Sequence, residues 1–231
     1  MLGPPAVVAA KCAAADRRLL LGPLVRLGLP VLWREGEASA AFSFRYEGDQ
    51  REMTVDELGP SWTAADLLGL ERVDWVHVGA LARSDFPAET LATLGRRRRI
   101  SLDGQALVRP ARTGPLQLDR QYDPDVLRHV TILKLADDEA RVLLGEPDED
   151  GLRSLGVPEV VVTLGSRGSL VLADGQVQRA AAQPVDNADP TGAGDAFAAA
   201  YLVSRATGHG PRAAARRAAA LVAGLLGRRL P

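Results

Sequence analysis

Nine consecutive residues, Asp189-Pro190-Thr191-Gly192-Ala193-Gly194-Asp195-Ala196-Phe197, bring together what a phosphoryl-transfer site needs. The glycine-rich turn runs straight into an alanine-rich segment, which predicts a helix from about Gly194 to Thr207. The first turn of a helix carries backbone N–H groups with no acceptor inside the helix. Glycines let a ligand approach those groups closely. Such a terminus attracts anions through hydrogen bonds and through the helix dipole. A phosphoryl group in transfer suits it, because its transition state spreads negative charge over several oxygens. Asp195 falls at the start of the helix, where the dipole favours a carboxylate. It can accept the proton of a hydroxyl as that oxygen attacks phosphorus. The competing reading is an Asp that caps an ordinary buried helix.

Other polar residues lie at the ends of apolar runs. Asp103, in Leu102-Asp103-Gly104-Gln105, ends a candidate strand on the side where open α/β sheets bind ligands. It contacts substrate or starts a turn. Val162-Thr163-Leu164-Gly165-Ser166-Arg167-Gly168-Ser169 reads as a strand, a glycine turn and a returning strand. Asp138 and Glu139 suit the positive end of a helix over Asp137 to Leu144, with Asp137 as its cap and Gly145 as its stop. Arg96 to Arg99 reads as a solvated helix end. Cys12 is the single cysteine, so no disulfide framework or cysteine-rich zinc site exists. His77, His129 and His209 show no metal-ligand spacing and read as ordinary structural or surface residues.

These residues must be positioned by alternating strands and helices. Short apolar runs at Ala6 to Ala10 and Leu29 to Trp33 flank a helix over Asp16 to Gly28, where Leu19, Leu20, Leu24 and Leu27 recur at helical spacing. Period-2 alternation through Phe42, Phe44 and Tyr46, a Gly48-Asp49 turn, and Arg51 to Val55 predict a β-hairpin over Ala40 to Val55. A short helix follows at Thr63 to Leu68, capped by the Pro60-Ser61 region. Then come strands at Val73 to Val78, Ile100 to Asp103 and Val130 to Leu135, with a helix at Pro87 to Leu94. Glu159 to Leu164 and Ser169 to Ala173 are strands, with Asp174-Gly175 as a hairpin turn. Pro147 to Gly151 reads as an acidic surface loop. The last helix spans Pro211 to Leu226. The alternation implies a mostly parallel sheet with helices on both faces.

The length, 231 residues, allows a real core. A formal net charge of -1 argues against a nucleic-acid or membrane-surface partner. No apolar run is long enough to span a bilayer, and the start, MLGPPAVVAAKC, lacks the pattern of a secretory signal. A cytoplasmic location is the expectation.

The stretch Asp189 to Phe197 closely resembles the C-terminal signature of the ribokinase-like, or phosphofructokinase-B, family of carbohydrate kinases. The resemblance implies a three-layer α/β/α ribokinase-like fold over residues 1–231 as a single domain. Residues from about 40 to 57 would then form the hairpin of a small, partial β lid that excludes water from the substrate. It implies an ATP-dependent kinase that phosphorylates a hydroxyl of a sugar or nucleoside, with ATP, Mg²⁺ and K⁺ as cofactors and a homodimer paired through its lids. Asp195 would be the catalytic base and a substrate contact, with Asp103 a further substrate candidate. Gly192, Ala193 and Gly194 would form the anion hole, and Asp189 would help bind a monovalent cation. The turn with Thr163, Gly165, Ser166 and Gly168 would approach ATP. Leu133 to Ala140 resembles the family's Asn-x-x-Glu segment, which makes Glu139 the residue that reaches magnesium through water. Ala136 stands where the family usually has Asn, and this removes a polar contact. The family's opening strand, with its substrate-binding Asp and a following Gly-Gly segment, has no match here, so the expectation is a chain lacking at least one N-terminal βα unit. That gap and Ala136 support a second reading, a regulatory nucleotide-binding paralogue without a complete sugar site. A vitamin-precursor hydroxymethyl group is a weaker acceptor candidate, because the lid argues against it.

Overall fold

The computed structural model describes residues 6–47, 50–183, 185 and 191–227. The first part of the chain supplies β1 (Val8–Cys12), α1 (Arg17–Arg26) and β2 (Val31–Glu35), with β1 and β2 paired in parallel. The predicted hairpin is present as β3 (Ala41–Glu47) and β4 (Gln50–Glu57), which are antiparallel. Its turn, Gly48-Asp49, lies outside the described residues. The short segment after it is a 3-10 turn at Ala64–Leu67, closed by Thr63 and Asp66 rather than by Pro60-Ser61.

The βα rhythm then runs through β5 (Trp75–Val78), α2 (Ala88–Gly95), β6 (Arg99–Asp103) and α3 (Gln105–Val108). A two-residue strand, β7 (Gly114–Pro115), adds a third strand to β3 and β4. Next come β8 (Ile132–Ala136), α4 (Asp137–Leu144), α5 (Glu149–Ser154), β9 (Glu159–Thr163), β10 (Ser169–Ala173) and β11 (Gln176–Ala180). Two helices, α6 (Ala193–Ala206) and α7 (Pro211–Leu226), complete the order. The acidic stretch expected as a loop runs into α5, because the Asp148 carboxylate accepts from the Gly151 amide at 2.8 Å and caps it.

The six-stranded sheet has the order β11-β10-β9-β8-β6-β5. Strands β5, β6, β8 and β9 are parallel, and β10 and β11 are antiparallel additions. Helices cover both faces, so the central strands are buried along most of their length. Alternation then assigns residues to faces. Leu133, Leu135, Val160 and Val162 join the core that includes Leu91, Leu94 and Ala140. Ile132 and Val161 join a second core with Phe197 and Tyr201 of α6 and Ala214, Ala215 and Ala218 of α7. The small side chains of α7 let α6 and α7 pack closely against each other and the sheet.

One buried polar cluster fixes α6 on that sheet. Glu159, at the start of β9, accepts from the Tyr201 hydroxyl at 2.5 Å and pairs with the Arg205 guanidinium at 2.9 Å. Burial and the negative charge of Glu159 push the Tyr201 phenol well above its ordinary value, so it remains a donor. At the other end of the basic run, Arg98 donates to the carbonyls of Leu70 and Leu94, and Arg99 covers the Trp75 ring. The run therefore ties α2 to its neighbours.

Candidate functional site

The site is built at the C-terminal ends of the parallel strands, where α6 begins. Gly192 is the residue before α6 and takes φ +77°, a left-handed conformation that favours glycine. The first helical hydrogen bond runs from the Ala196 amide to the Gly192 carbonyl at 3.0 Å. The amides of Ala193, Gly194 and Asp195 therefore have no acceptor within the helix. Asp195 is in the first turn and exposed, and among the described residues no ion pair engages it. Asp189 lies outside the described residues.

Beneath this helix start, three strands contribute polar residues to the face that α6 covers. His77 of β5 is in register with Ser101 of β6, and Asp103 of β6 with Lys134 of β8. The Lys134 ammonium lies 3.2 Å from an Asp103 carboxylate oxygen, and both residues are buried. The other Asp103 oxygen accepts from the Gln105 amide at 3.3 Å. Asp103 thus engages an ion pair and the turn that follows β6. His77 faces Ser101 at 3.3 Å. Burial pushes its imidazole down, against the opposing charges of Asp103 and Asp195, so it stays neutral near pH 7. The sequence singled out neither Lys134 nor this placement of His77. The signal was present: each is a polar residue inside an otherwise apolar strand.

Glu139 joins the cluster from α4. Its carboxylate accepts from the Ala136 amide at 2.8 Å, which makes Ala136, not Asp137, the residue before the helix. Burial pushes Glu139 up to about 7, the nearby negative charge of Asp103 adds to this, and Lys134 opposes it. Gly104 is required where β6 meets α4: a Cβ there would lie 2.5 Å from Leu135 and 2.7 Å from the Glu139 carboxylate. No group of three His, Cys, Asp or Glu among the described residues could hold a metal ion directly. Glu139 alone, with Lys134 beside it, fits a contact through water to a cation carried in by phosphates, rather than a protein cage.

The turn after β9 sits at the same end of the sheet. Gly165 and Gly168 both have positive φ, and a Cβ on Gly168 would lie 2.2 Å from the Ala180 carbonyl oxygen. Ser166 is exposed on this turn, and Arg167 pairs with Asp137 of α4 at 2.6 Å. The Thr163 hydroxyl donates to the Leu135 carbonyl at 3.2 Å, so it links β9 to β8. Beside the turn, a hollow of about 550 Å³ lies between Ala181–Gln183 and α7, lined also by His209, Arg216 and Arg217. The structure therefore places Asp195, Gly192, Ala193 and Gly194 of the helix start, Asp103, Glu139 and the glycine turn at one end of the sheet.

Residues 36–228 match the pfkB family carbohydrate kinase model, and the chain belongs to that family. Ribokinase from Bacillus subtilis (strain 168) is 29% identical over 192 residues, which cover 80% of this chain and 62% of that protein. The 2-dehydro-3-deoxygluconokinase of Thermoproteus tenax is 37% identical over 128 residues, 52% of this chain and 39% of its own length. The chain thus spans less than two thirds of either relative. Among solved structures, a pyrophosphate-dependent kinase in the ribokinase family, in a sulfate complex, superposes with a TM-score of 0.86 at 25% identity. That match covers 97% of this chain and 82% of the other. Arabidopsis thaliana ribokinase complexed with ribose and ATP has a TM-score of 0.76 at 21% identity, over 96% of this chain and 76% of that one, and shows the shared fold.

Proposed function

We propose that the protein transfers a phosphoryl group to a hydroxyl of a sugar or a similar small polyol, with Asp195 as general base. The single observation that supports this most is the pairing of an exposed carboxylate, with no ion pair among the described residues, with the open amides of the α6 N-terminus in one helical turn. The transferable phosphoryl group rests against the amides of Ala193, Gly194 and Asp195. Asp195 takes the acceptor's proton as the acceptor oxygen attacks phosphorus, and the donor leaves as the remaining phosphate. Magnesium, bound with the donor, would neutralise phosphate charge; Glu139 would reach it through water. The β3–β4–β7 sheet, with Phe44 half-exposed, acts as a partial lid within a single domain.

ATP is the donor that the Gly165–Gly168 turn and the neighbouring hollow support, since the hollow gives a base and ribose somewhere to lie. Pyrophosphate is the second reading. It is favoured by the high structural similarity to kinases described as pyrophosphate-dependent, one of them complexed with a pyrophosphate analog and myo-inositol. A panel decides between them: Mg-ATP and Mg-pyrophosphate, each with sugars, nucleosides and myo-inositol, followed by phosphoryl-product formation. Turnover that requires an acceptor supports the proposal. Tight donor binding with no turnover on any acceptor refutes it and leaves a regulatory role.

A further inference from the structure

Lysine is rarely buried, and Lys134 is only 5% exposed within a strand whose other residues are apolar or alanine. Strand alternation turns it toward α6, on the same face as Ile132. Its position there is specific. A Cβ built on Gly194 would meet the Lys134 ammonium nitrogen at 3.2 Å and its Cε at 3.9 Å, its nearest contacts among the described residues outside its own helix. Gly194 carries one of the amides that open the helix. The ammonium therefore lies directly under the anion hole.

Its partners do not account for it. An ammonium has three donors. Among the described residues, its partner is one Asp103 oxygen, at 3.2 Å. A buried cation with unused donors is costly. A buried ion pair is also a weak source of stability compared with apolar side chains of similar size. The pair is moreover oriented. Asp103 lies toward β6 and the Gln105 amide, more than 4 Å from the Gly194 Cβ position, whereas the ammonium lies next to it. The positive end of the pair faces the helix amides.

We infer that Lys134 is a further anion-binding residue of this site, donating from beneath Gly194 to an oxygen of the phosphate that the α6 amides hold. The inference rests on the proposed phosphoryl transfer for the identity of that anion. In the reaction Lys134 forms no bond and loses no proton. The bond from donor to phosphorus breaks, the bond from acceptor oxygen to phosphorus forms, and the proton goes to Asp195. The ammonium supplies a fixed positive charge where the phosphoryl oxygens sit, with no reorganisation needed as charge shifts among them. It would serve a nucleotide or a pyrophosphate donor alike.

Calorimetric titration with inorganic phosphate and inorganic pyrophosphate tests this on the full chain. The informative comparison is Asp103→Asn against the double variant Asp103→Asn/Lys134→Met, since neither leaves an unpaired buried carboxylate; circular dichroism and urea unfolding verify that both are folded. Loss of a hydrogen bond to a charged group predicts affinity for both anions about ten- to a hundredfold weaker in the double variant. Restoring a cation, with Asp103→Asn/Lys134→Arg, is expected to recover part of the affinity. Equal anion affinity in the single and double variants overturns the inference, as does failure of the wild type to bind either anion at millimolar concentration. The kinase reading fails separately: Lys134-dependent anion binding without turnover of any donor and acceptor pair removes the reaction but keeps the anion site.

Discussion

The protonation of Glu139 gives a direct test of the buried cluster. Its carboxyl group is raised from the ordinary 4.5 to about 7, first by burial and then by the charge of Asp103. A group with a raised folded-state value binds its proton more tightly in the native protein than in the unfolded chain. Its stabilising contribution is complete below about pH 4.5 and is lost as pH rises through about 7. At about 1.36 kcal/mol per pH unit, the gap is worth roughly 3 kcal/mol. Glu139→Gln keeps an acceptor for the Ala136 amide and removes the titration. Urea unfolding of both proteins, followed by circular dichroism in buffers with chelator from pH 5 to pH 8.5, measures the difference. The Gln variant is expected to be about as stable as wild type near pH 5 and about 2–3 kcal/mol more stable above pH 8. A difference that stays flat across this range refutes the placement of Glu139 in a desolvated cluster beside Asp103.

Three other substitutions test the same structure. Gly168→Ala puts a methyl group against the Ala180 carbonyl and strains a residue at φ +88°, so it should lower thermal stability and weaken donor binding together; a normal Tm with normal donor affinity would contradict the described turn. Removing Glu159 as Ala leaves the Arg205 charge and the Tyr201 hydroxyl without their partner, with a cost of roughly 3–5 kcal/mol, whereas Tyr201→Phe should cost roughly 1.5–3 kcal/mol; denaturant titration of both variants checks the order.

What the sequence disclosed was local. The boundaries of α4, β10 and α7 match the expected Asp137 to Leu144, Ser169 to Ala173 and Pro211 to Leu226, because glycine stops, apolar runs and proline at a helix start act within a few residues. The start of α6 was displaced by one residue, to Ala193. The helix α5 was missed because Glu149 to Gly151 have no apolar face; only Leu152 is buried. At the candidate site, Gly192, Gly194 and Asp195 were legible as a glycine-opened helix start because they are contiguous in the chain. The cluster beneath them was not, since Asp103 and Lys134 are 31 residues apart and meet only through the parallel register of β6 and β8. Register is a property of the whole sheet, and no local rule reports it. The same register gives Asp103 its ion-pair partner, while its other oxygen accepts from the turn after β6.

The most direct measurement is the turnover of Asp195→Asn with the best donor and acceptor pair, alongside its affinity for inorganic pyrophosphate. In this variant kcat is expected to fall by about 10² to 10⁴, the usual worth of a general base, while pyrophosphate affinity persists through the α6 amides. Unchanged kcat in this variant would contradict the assignment of Asp195 as the group that receives the acceptor's proton.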